Sequence, residues 1–133
     1  AHISVNAQSA TDGRLPACDI VYVSAGATRP PDAWLDALNP GGRLLFPLTP
    51  NVGLGGMLLV TRATDSSFDA RFVQPATFIY CEGARDDSEG DELAKAFALG
   101  TWRQVKSLRR DAPDGSCWYA GEGWWLSTEA NTP

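Results

Sequence analysis

Two apolar runs flank a helical pattern in the first third of the chain. Residues 19–23 are β-branched and aromatic after Asp19, which is typical of a strand buried on both faces of a parallel sheet. Residues 43–48 form a second such run. Between them, the pattern predicts a helix that begins at the prolines of residues 30–31 and ends at residues 39–42. Its apolar face has the spacing i, i+3, i+4 and i+7: Pro31, Trp34, Leu35 and Leu38. The pattern predicts a right-handed βαβ unit with parallel strands.

Strand patterns also occur before and after this unit. Residues 2–5 alternate like a strand, and residues 57–63 and 68–81 are predicted strands, the second broken at Pro75. Because polar residues 64–67 suit a hairpin turn, we expect these two strands to be antiparallel additions to the sheet. Residues 53–56 are rich in glycine but lack the Lys-Ser/Thr of a P-loop and precede a strand, so a connector or lid is favoured over a phosphate cradle.

The acidic run at residues 86–91 predicts the start of a helix. Ser88 and Asp91 have the spacing of a capping box, and carboxylates stabilise the positive end of a helix. This interpretation is favoured over a metal site, because the run lacks an EF-hand pattern. The helix is predicted to run to Leu99, with Gly100 as its C-cap.

The C-terminal region is predicted to be β-structure rich in tryptophan. Residues 102–108 read as a strand, and residues 116–120 and 123–127 read as a hairpin. We expect the tryptophans of the hairpin to anchor the edge of a core rather than to form a platform that stacks on bases or sugars: Trp118, Trp124 and Trp125.

Composition limits the class of protein. With 133 residues, of which 44% are hydrophobic, the chain suits one α/β domain over residues 1–128, with residues 129–133 as a flexible tail. The net charge of −5 disfavours nucleic-acid binding, since phosphate binding needs a basic face. No apolar run approaches the roughly 20 residues of a membrane span, so a membrane protein is not expected.

Histidine and cysteine exclude several kinds of site. His2 is the only histidine, so a Ser-His-Asp triad or a Cys-His pair would depend on a terminal residue, and no zinc set is expected. Cys18, Cys81 and Cys117 lie far apart. We expect reduced, mostly buried thiols in a cytoplasmic protein, with a Cys81–Cys117 bridge as the alternative.

Ligands of open α/β sheets bind beyond the carboxyl ends of the parallel strands. That edge should hold residues 24–29 and 47–51, whose small side chains let a ligand approach the backbone, and the polar residues 6–13. The patterns by themselves name no reaction, because no acid pair, metal set or nucleophile is evident.

Three segments resemble one enzyme family. The segment from Asp19 to Ala27, the segment from Trp34 to Leu44 with its Asn-Pro-Gly-Gly-Arg-Leu turn, and the pair Pro47-Leu48 are similar to the second half of class I S-adenosylmethionine-dependent methyltransferases. The similarity is greatest to the protein-L-isoaspartate O-methyltransferase group. It implies the C-terminal portion of a Rossmann-like sheet, with parallel strands, antiparallel additions and a C-terminal hairpin.

The resemblance also implies site residues. Gln8 falls at the position that contacts the adenine in relatives, and Asp12 is the alternative if the loop is shorter. Ser24, Ala25 and Gly26 are expected to line the cofactor site, and the residues expected to line the substrate site are Ala27, Thr28 and Thr49. The glycine-rich cofactor loop of the family and its ribose-binding acid have no counterpart here, so binding of S-adenosylmethionine by this chain alone is expected to be incomplete.

The implied activity is methyl transfer to a carboxylate of a protein or peptide, with little turnover by this chain alone. The alternatives are an unrelated small α/β enzyme and an α/β binding or dimerisation module that kept part of the fold. In the second case, an exposed sheet edge would favour a homodimer.

Overall fold

The first three elements form the predicted βαβ unit. The computed structural model describes residues 3–132. Strand β1 (Cys18–Tyr22) is parallel to β2 (Leu38–Leu48), with Val21 beside Leu44, and helix α1 (Asp32–Asp36) lies between them in the chain. The parallel pair is confirmed. The helix is shorter than predicted, because Leu38 already pairs with Cys18 and the Pro-Gly-Gly segment lies within β2 as an irregularity of the register.

Strand β1 is an edge strand with one face exposed, so the prediction that it is buried on both faces is wrong. Ile20 and Tyr22 are 64% and 63% exposed, whereas Val21 packs against the core. The physical reason is that the core covers only one face of β1. In the described part of the chain it pairs along its length with β2 alone, and the core lies on the face of Val21.

Strands β3 (Gly55–Arg62) and β4 (Phe68–Ala76) continue the sheet, and both pairings are antiparallel, as predicted. Strand β4 ends at Ala76 rather than at residue 81. Beyond it, Tyr80 pairs with Gly26 in the loop after β1, so the chain leaves β3 and crosses to the carboxyl end of the parallel pair.

Helix α2 (Asp87–Ala98) begins at Asp86, whose carboxylate accepts a hydrogen bond from the Glu89 amide at 3.0 Å. The predicted cap at Ser88 is therefore wrong by two residues: the Ser88 hydroxyl donates to the same carboxylate instead. Leu93 and Ala96 of α2 are buried, and Gly100 follows the helix with a φ of 78°.

Most of the strand predicted at residues 102–108 is wrong. A 3₁₀ turn (Trp102–Gln104) precedes the short strand β5 (Ser107–Arg109). The turn is held by aromatic packing rather than by a β-ladder, since the rings of Trp102, Phe97 and Trp118 each meet Phe72 edge-on at 5.5–5.8 Å between centroids.

The C-terminal hairpin is confirmed as β6 (Cys117–Ala120) and β7 (Trp125–Ser127), and the sheet order is β1-β2-β3-β4-β5-β7-β6. Trp124 and Trp125 are 4% and 1% exposed, as expected of core anchors, and Trp118 packs against the core. In the predicted tail, the Glu129 carbonyl accepts from the Ser107 hydroxyl, and the Asn131 amide donates to Phe68.

The N-terminal segment is not a strand over its described residues. Ile3 and Val5 are almost fully exposed and have no partner strand in the described part of the chain, and His2 lies outside it. The chain is first held at Ala10, whose carbonyl accepts from the Trp34 indole at 2.9 Å. None of the helices between residues 3 and 132 has the length and apolar character to cross a membrane.

Candidate functional site

The loop that follows β1 is clamped between two other segments at the carboxyl end of the parallel pair. On one side, Ala27 donates its amide to Pro47 and accepts from the Thr49 amide, both at 2.9 Å. On the other side, Gly26 donates to Ile79 at 2.6 Å and accepts from Cys81 at 2.8 Å. The sheet is thus extended past β1, and the loops after β1, β2 and β4 meet at one edge.

Arg85 joins these loops through its guanidinium. One terminal nitrogen donates to the Gly26 carbonyl at 3.0 Å and to the Thr49 hydroxyl at 2.7 Å. The other donates to the carbonyls of Thr49 and Pro50 and to the side-chain oxygen of Asn51, at 3.2–3.3 Å. Its planar group lies 3.7 Å from the centroid of the Tyr80 ring, a cation–π contact. Burial lowers the pKa of Arg85, and the nearby Tyr80 and Asp87 oppose that change.

Thr28 connects the same loop to the start of α2. Its hydroxyl donates to the Glu89 carboxylate at 3.1 Å and accepts from the Asp86 amide at 3.0 Å. The Glu89 side chain is 13% exposed, and Arg29 lies 3.9 Å from its carboxylate. Burial raises the pKa of Glu89 above its usual value, while Arg29 and the Thr28 hydroxyl oppose the rise.

Asn51 makes the matching connection from the loop after β2. Its side-chain nitrogen donates to the Asp87 carbonyl at 2.8 Å and to the Asp91 carboxylate at 3.0 Å. The approach is close enough that a Cβ at position 90 would overlap the Asn51 side chain. This explains a glycine in the first turn of α2, although glycine within a helix costs roughly 1 kcal/mol relative to alanine.

The structure brings four of the predicted site residues together and buries them: Gly26, Ala27, Thr28 and Thr49. The hydroxyls of Thr28 and Thr49 are bound to Glu89 and Arg85, so these threonines shape the edge from behind. Ser24 is exposed and Ala25 is half-buried. Solvent therefore reaches both of these residues.

The structure places Gln8 and Asp12 in the segment ahead of β1. Gln8 is exposed and makes no side-chain hydrogen bond within residues 3–132. Asp12 lines a cavity of about 250 Å³ with Arg29, Gly83 and Trp124 among its other residues. Asp12 therefore lines the same cavity as Arg29, which directly follows Thr28 in the chain.

A larger cleft of about 690 Å³ lies between the first turns of α2 and the β6–β7 turn. Its polar lining is mixed, with Arg29 and Lys95 among acidic side chains that include Glu89 and Glu122. The Tyr119 hydroxyl, which donates to the Glu89 carbonyl at 3.4 Å, closes its floor, and burial raises the pKa of this hydroxyl.

The cysteines are free and half-buried rather than mostly buried, so the alternative of a Cys81–Cys117 bridge is not realised. Burial raises the pKa of Cys81 and of Cys117, which disfavours the thiolate form of both side chains. Across residues 3–132, no three His, Cys, Asp or Glu side chains cluster in a way that could hold a metal ion.

Sequence reasoning missed Arg85 and Glu89. Arg85 is the only basic residue in the run from Cys81 to Glu92, and an isolated arginine just before an acidic helix start was the available signal. Glu89 could not be separated from its acidic neighbours by sequence, because these side chains carry the same charge and differ in burial.

Comparison with known proteins places this arrangement in a family. The model of the protein-L-isoaspartate(D-aspartate) O-methyltransferase family (PCMT) matches residues 12–85, more than half of the chain and the whole of the clamped edge. No curated protein sequence matches the chain.

Among solved structures, the chain is similar to one from Plasmodium falciparum. That structure is described as a protein-L-isoaspartate O-methyltransferase (beta-aspartate methyltransferase) in complex with S-adenosyl-L-homocysteine. The identity is 18% and the TM-score is 0.46, over 51% of this chain and 30% of that one, so the chain spans less than a third of its length. On the match of the family model, the chain belongs to the protein-L-isoaspartate(D-aspartate) O-methyltransferase family.

Proposed function

We propose that this chain is the C-terminal portion of an S-adenosylmethionine-dependent O-methyltransferase that methylates a carboxylate of isoaspartyl type on a protein or peptide. The observation that carries the proposal is the clamped loop after β1, whose small residues lie at the carboxyl end of the parallel pair. Ligands of open α/β sheets bind at this place. Membership of the family supports the reaction class.

The described residues fit one wall of such a cleft. Ser24 and Ala25 are small and open to a ligand, so a nucleoside cofactor can approach their backbone closely. Gly26, Ala27, Thr28 and Thr49 fix that wall from behind. Gln8 or Asp12 is proposed as the adenine contact, and binding of the cofactor by this chain alone is proposed to be incomplete.

S-Adenosylmethionine, when bound, supplies an activated methyl group on a sulfonium. One acceptor carboxylate oxygen forms the new C–O bond with the methyl carbon as the C–S bond breaks, and the sulfur keeps the electron pair. The carboxylate is already ionised at neutral pH, so no proton has to be removed. The wall therefore acts by alignment, and proximity supplies most of the rate effect.

The test uses the full-length protein that contains this sequence, with methyl-labelled S-adenosylmethionine. A peptide with an isoaspartyl residue should acquire a methyl ester, which mild base releases as labelled methanol. The same peptide with ordinary aspartate is the matched control and should acquire none. Absence of base-labile label on every carboxylate peptide would overturn the proposal. The 133-residue chain alone should show no saturable binding of S-adenosylhomocysteine by calorimetry.

One observation favours the second candidate, an assembly module. Ile20 and Tyr22 stand exposed on an edge strand, where unpaired backbone groups favour pairing with another copy. Light scattering of the 133-residue chain tests the second candidate: an assembly module forms a dimer that Ile20→Lys disrupts. A monomer at all concentrations contradicts a homodimer through this edge.

A further inference from the structure

We propose that Arg85 is a positioning residue for methyl transfer, because its guanidinium fixes the loops after β1 and β2 in one relative arrangement. The inference rests on the proposed function and deepens it. Ser24 and Ala25 are the open part of the wall, and Gly26, which follows them directly, is held by Arg85. A change at Arg85 therefore reaches the wall without any contact between Arg85 and substrate.

The contacts of Arg85 all go to fixed positions. Three of its five acceptors are backbone carbonyls, which belong to Gly26, Thr49 and Pro50. The fourth is the buried Thr49 hydroxyl. The fifth is the side-chain oxygen of Asn51, and the Asn51 side-chain nitrogen holds α2. The guanidinium thus joins two loops and, through Asn51, the helix.

The role is geometric rather than a charge pairing. The ion pairs of residues 3–132 do not include Arg85, so its guanidinium is bound by neutral oxygens. Tyr80 lies against its planar face and donates its own hydroxyl to the Asn51 carbonyl at 3.3 Å. Such an arrangement needs a planar group with donors in a fixed fork. Lysine offers a point charge instead and cannot span the same acceptors.

Arg62 provides a matched control within the chain. It also donates to backbone carbonyls, including Leu38 at 2.8 Å and Asp65 at 2.6 Å, and it also lies over an aromatic ring, that of Phe68. Its contacts are at the amino end of β2. Loss of either guanidinium should lower thermal stability, but only loss of Arg85 should disturb the loops that form the wall.

The experiment compares Arg85→Lys and Arg62→Lys in the full-length protein, well below both melting temperatures. Peptide methylation is measured at saturating S-adenosylmethionine, and kcat is expressed per folded molecule. We expect Arg85→Lys to lower kcat about 10- to 100-fold, since a small misplacement of reacting groups has effects of that size. We expect Arg62→Lys to keep the wild-type kcat. Hydrogen exchange of residues 24–28 and 49–51 is measured in parallel.

The outcomes are distinct. A fall in kcat with faster loop exchange in Arg85→Lys alone supports the proposal. Equal kcat values for the two folded variants overturn it, because both arginines would then be merely structural. If the wild type methylates no carboxylate, the proposed function fails, and the positioning role of Arg85 in methyl transfer is overturned with it. The exchange data then show whether Arg85 still fixes the loops.

Discussion

Both ends of β2 are held by an arginine that donates to backbone carbonyls and lies over an aromatic ring, yet the two arginines connect different things. Arg62, at the amino end, bonds to Thr64 and Asp65 in its own hairpin turn and to the start of β2. Arg85, at the carboxyl end, bonds to residues 34 to 59 positions away in the chain. The amino end is thus mainly a local turn joined to one distant segment, whereas the carboxyl end is an assembly of separate loops.

This difference indicates where the fold can present a site. A local turn has its polar groups satisfied by near neighbours, and its geometry depends little on the rest of the molecule. Loops that meet only in the folded protein can leave a stretch such as Ser24 and Ala25 open while their neighbours are fixed. Functional residues commonly occupy loops that a rigid scaffold positions in this way.

The largest expected effect is at Gly26. A Cβ at this position would overlap the hydroxyl oxygen of Thr49, which Arg85 also holds. Gly26→Ala should lower the free energy of unfolding by about 1–3 kcal/mol, the usual cost of overpacking. Urea denaturation followed by tryptophan fluorescence measures it.

Gly115→Ala is the control, because a Cβ there would meet no atom within 4 Å. It should change stability by less than about 0.5 kcal/mol. Equal effects of the two substitutions would mean that the carboxyl edge is not packed more tightly than an open turn.

The next effect tests the link between Asn51 and α2. Gly90→Ala should gain roughly 1 kcal/mol of helix propensity. It should also displace the Asn51 side chain, whose three hydrogen bonds are worth about 0.5–1.5 kcal/mol each. We expect a net loss of stability in the native sequence.

A double-mutant cycle sharpens this prediction. In an Asn51→Ala background the clash is absent, so Gly90→Ala should become stabilising. Thermal unfolding of the four proteins measures the change of sign. The same sign in both backgrounds would show that Asn51 is not the reason for a glycine at position 90.

The smallest effect concerns Glu89 and is a dependence on pH. Burial raises the pKa of Glu89 in the folded state above the ordinary carboxyl pKa of 4.5. In the pH window between the ordinary and the raised pKa, the folded protein therefore binds more protons than the unfolded one. The stability associated with this group therefore falls as pH rises through that window. Glu89→Gln, which can still accept from Thr28, should remove this slope.

Chemical denaturation at several pH values above 4 measures the slope. Asp114→Asn is the control, because hydrogen bonds from Ser116 lower the pKa of the exposed Asp114 carboxyl. The contribution of Asp114 to stability therefore changes with pH only below its ordinary pKa of 3.8, and Asp114→Asn should leave the slope above pH 4 unchanged. If the free energy of unfolding of the wild type and of Glu89→Gln changes with pH in the same way above pH 4.5, the raised pKa of Glu89 is contradicted.

Much of the fold followed from sequence because it depends on local pattern. Apolar runs and turn residues located β1 to β4, α2 and the hairpin of β6 and β7. The predictions failed where packing decides. Residues 102–108 have strand composition, but aromatic rings around Phe72 turn most of them away from the sheet. The helix start moved from Ser88 to Asp86 because serine and aspartate are about equally good N-caps, and only the path of the chain selects one of them.

The order of residues alone determined the parallel strand–helix–strand unit, the small residues after β1 and the family to which they belong. Periodicity and turn chemistry act between near neighbours, so the sequence displays them directly. Only the tertiary structure decided that β1 is an exposed edge, that the threonine hydroxyls are used internally and that Arg85 joins loops distant in the chain. These features depend on burial and on acceptor positions that long-range packing creates, and no local pattern encodes them.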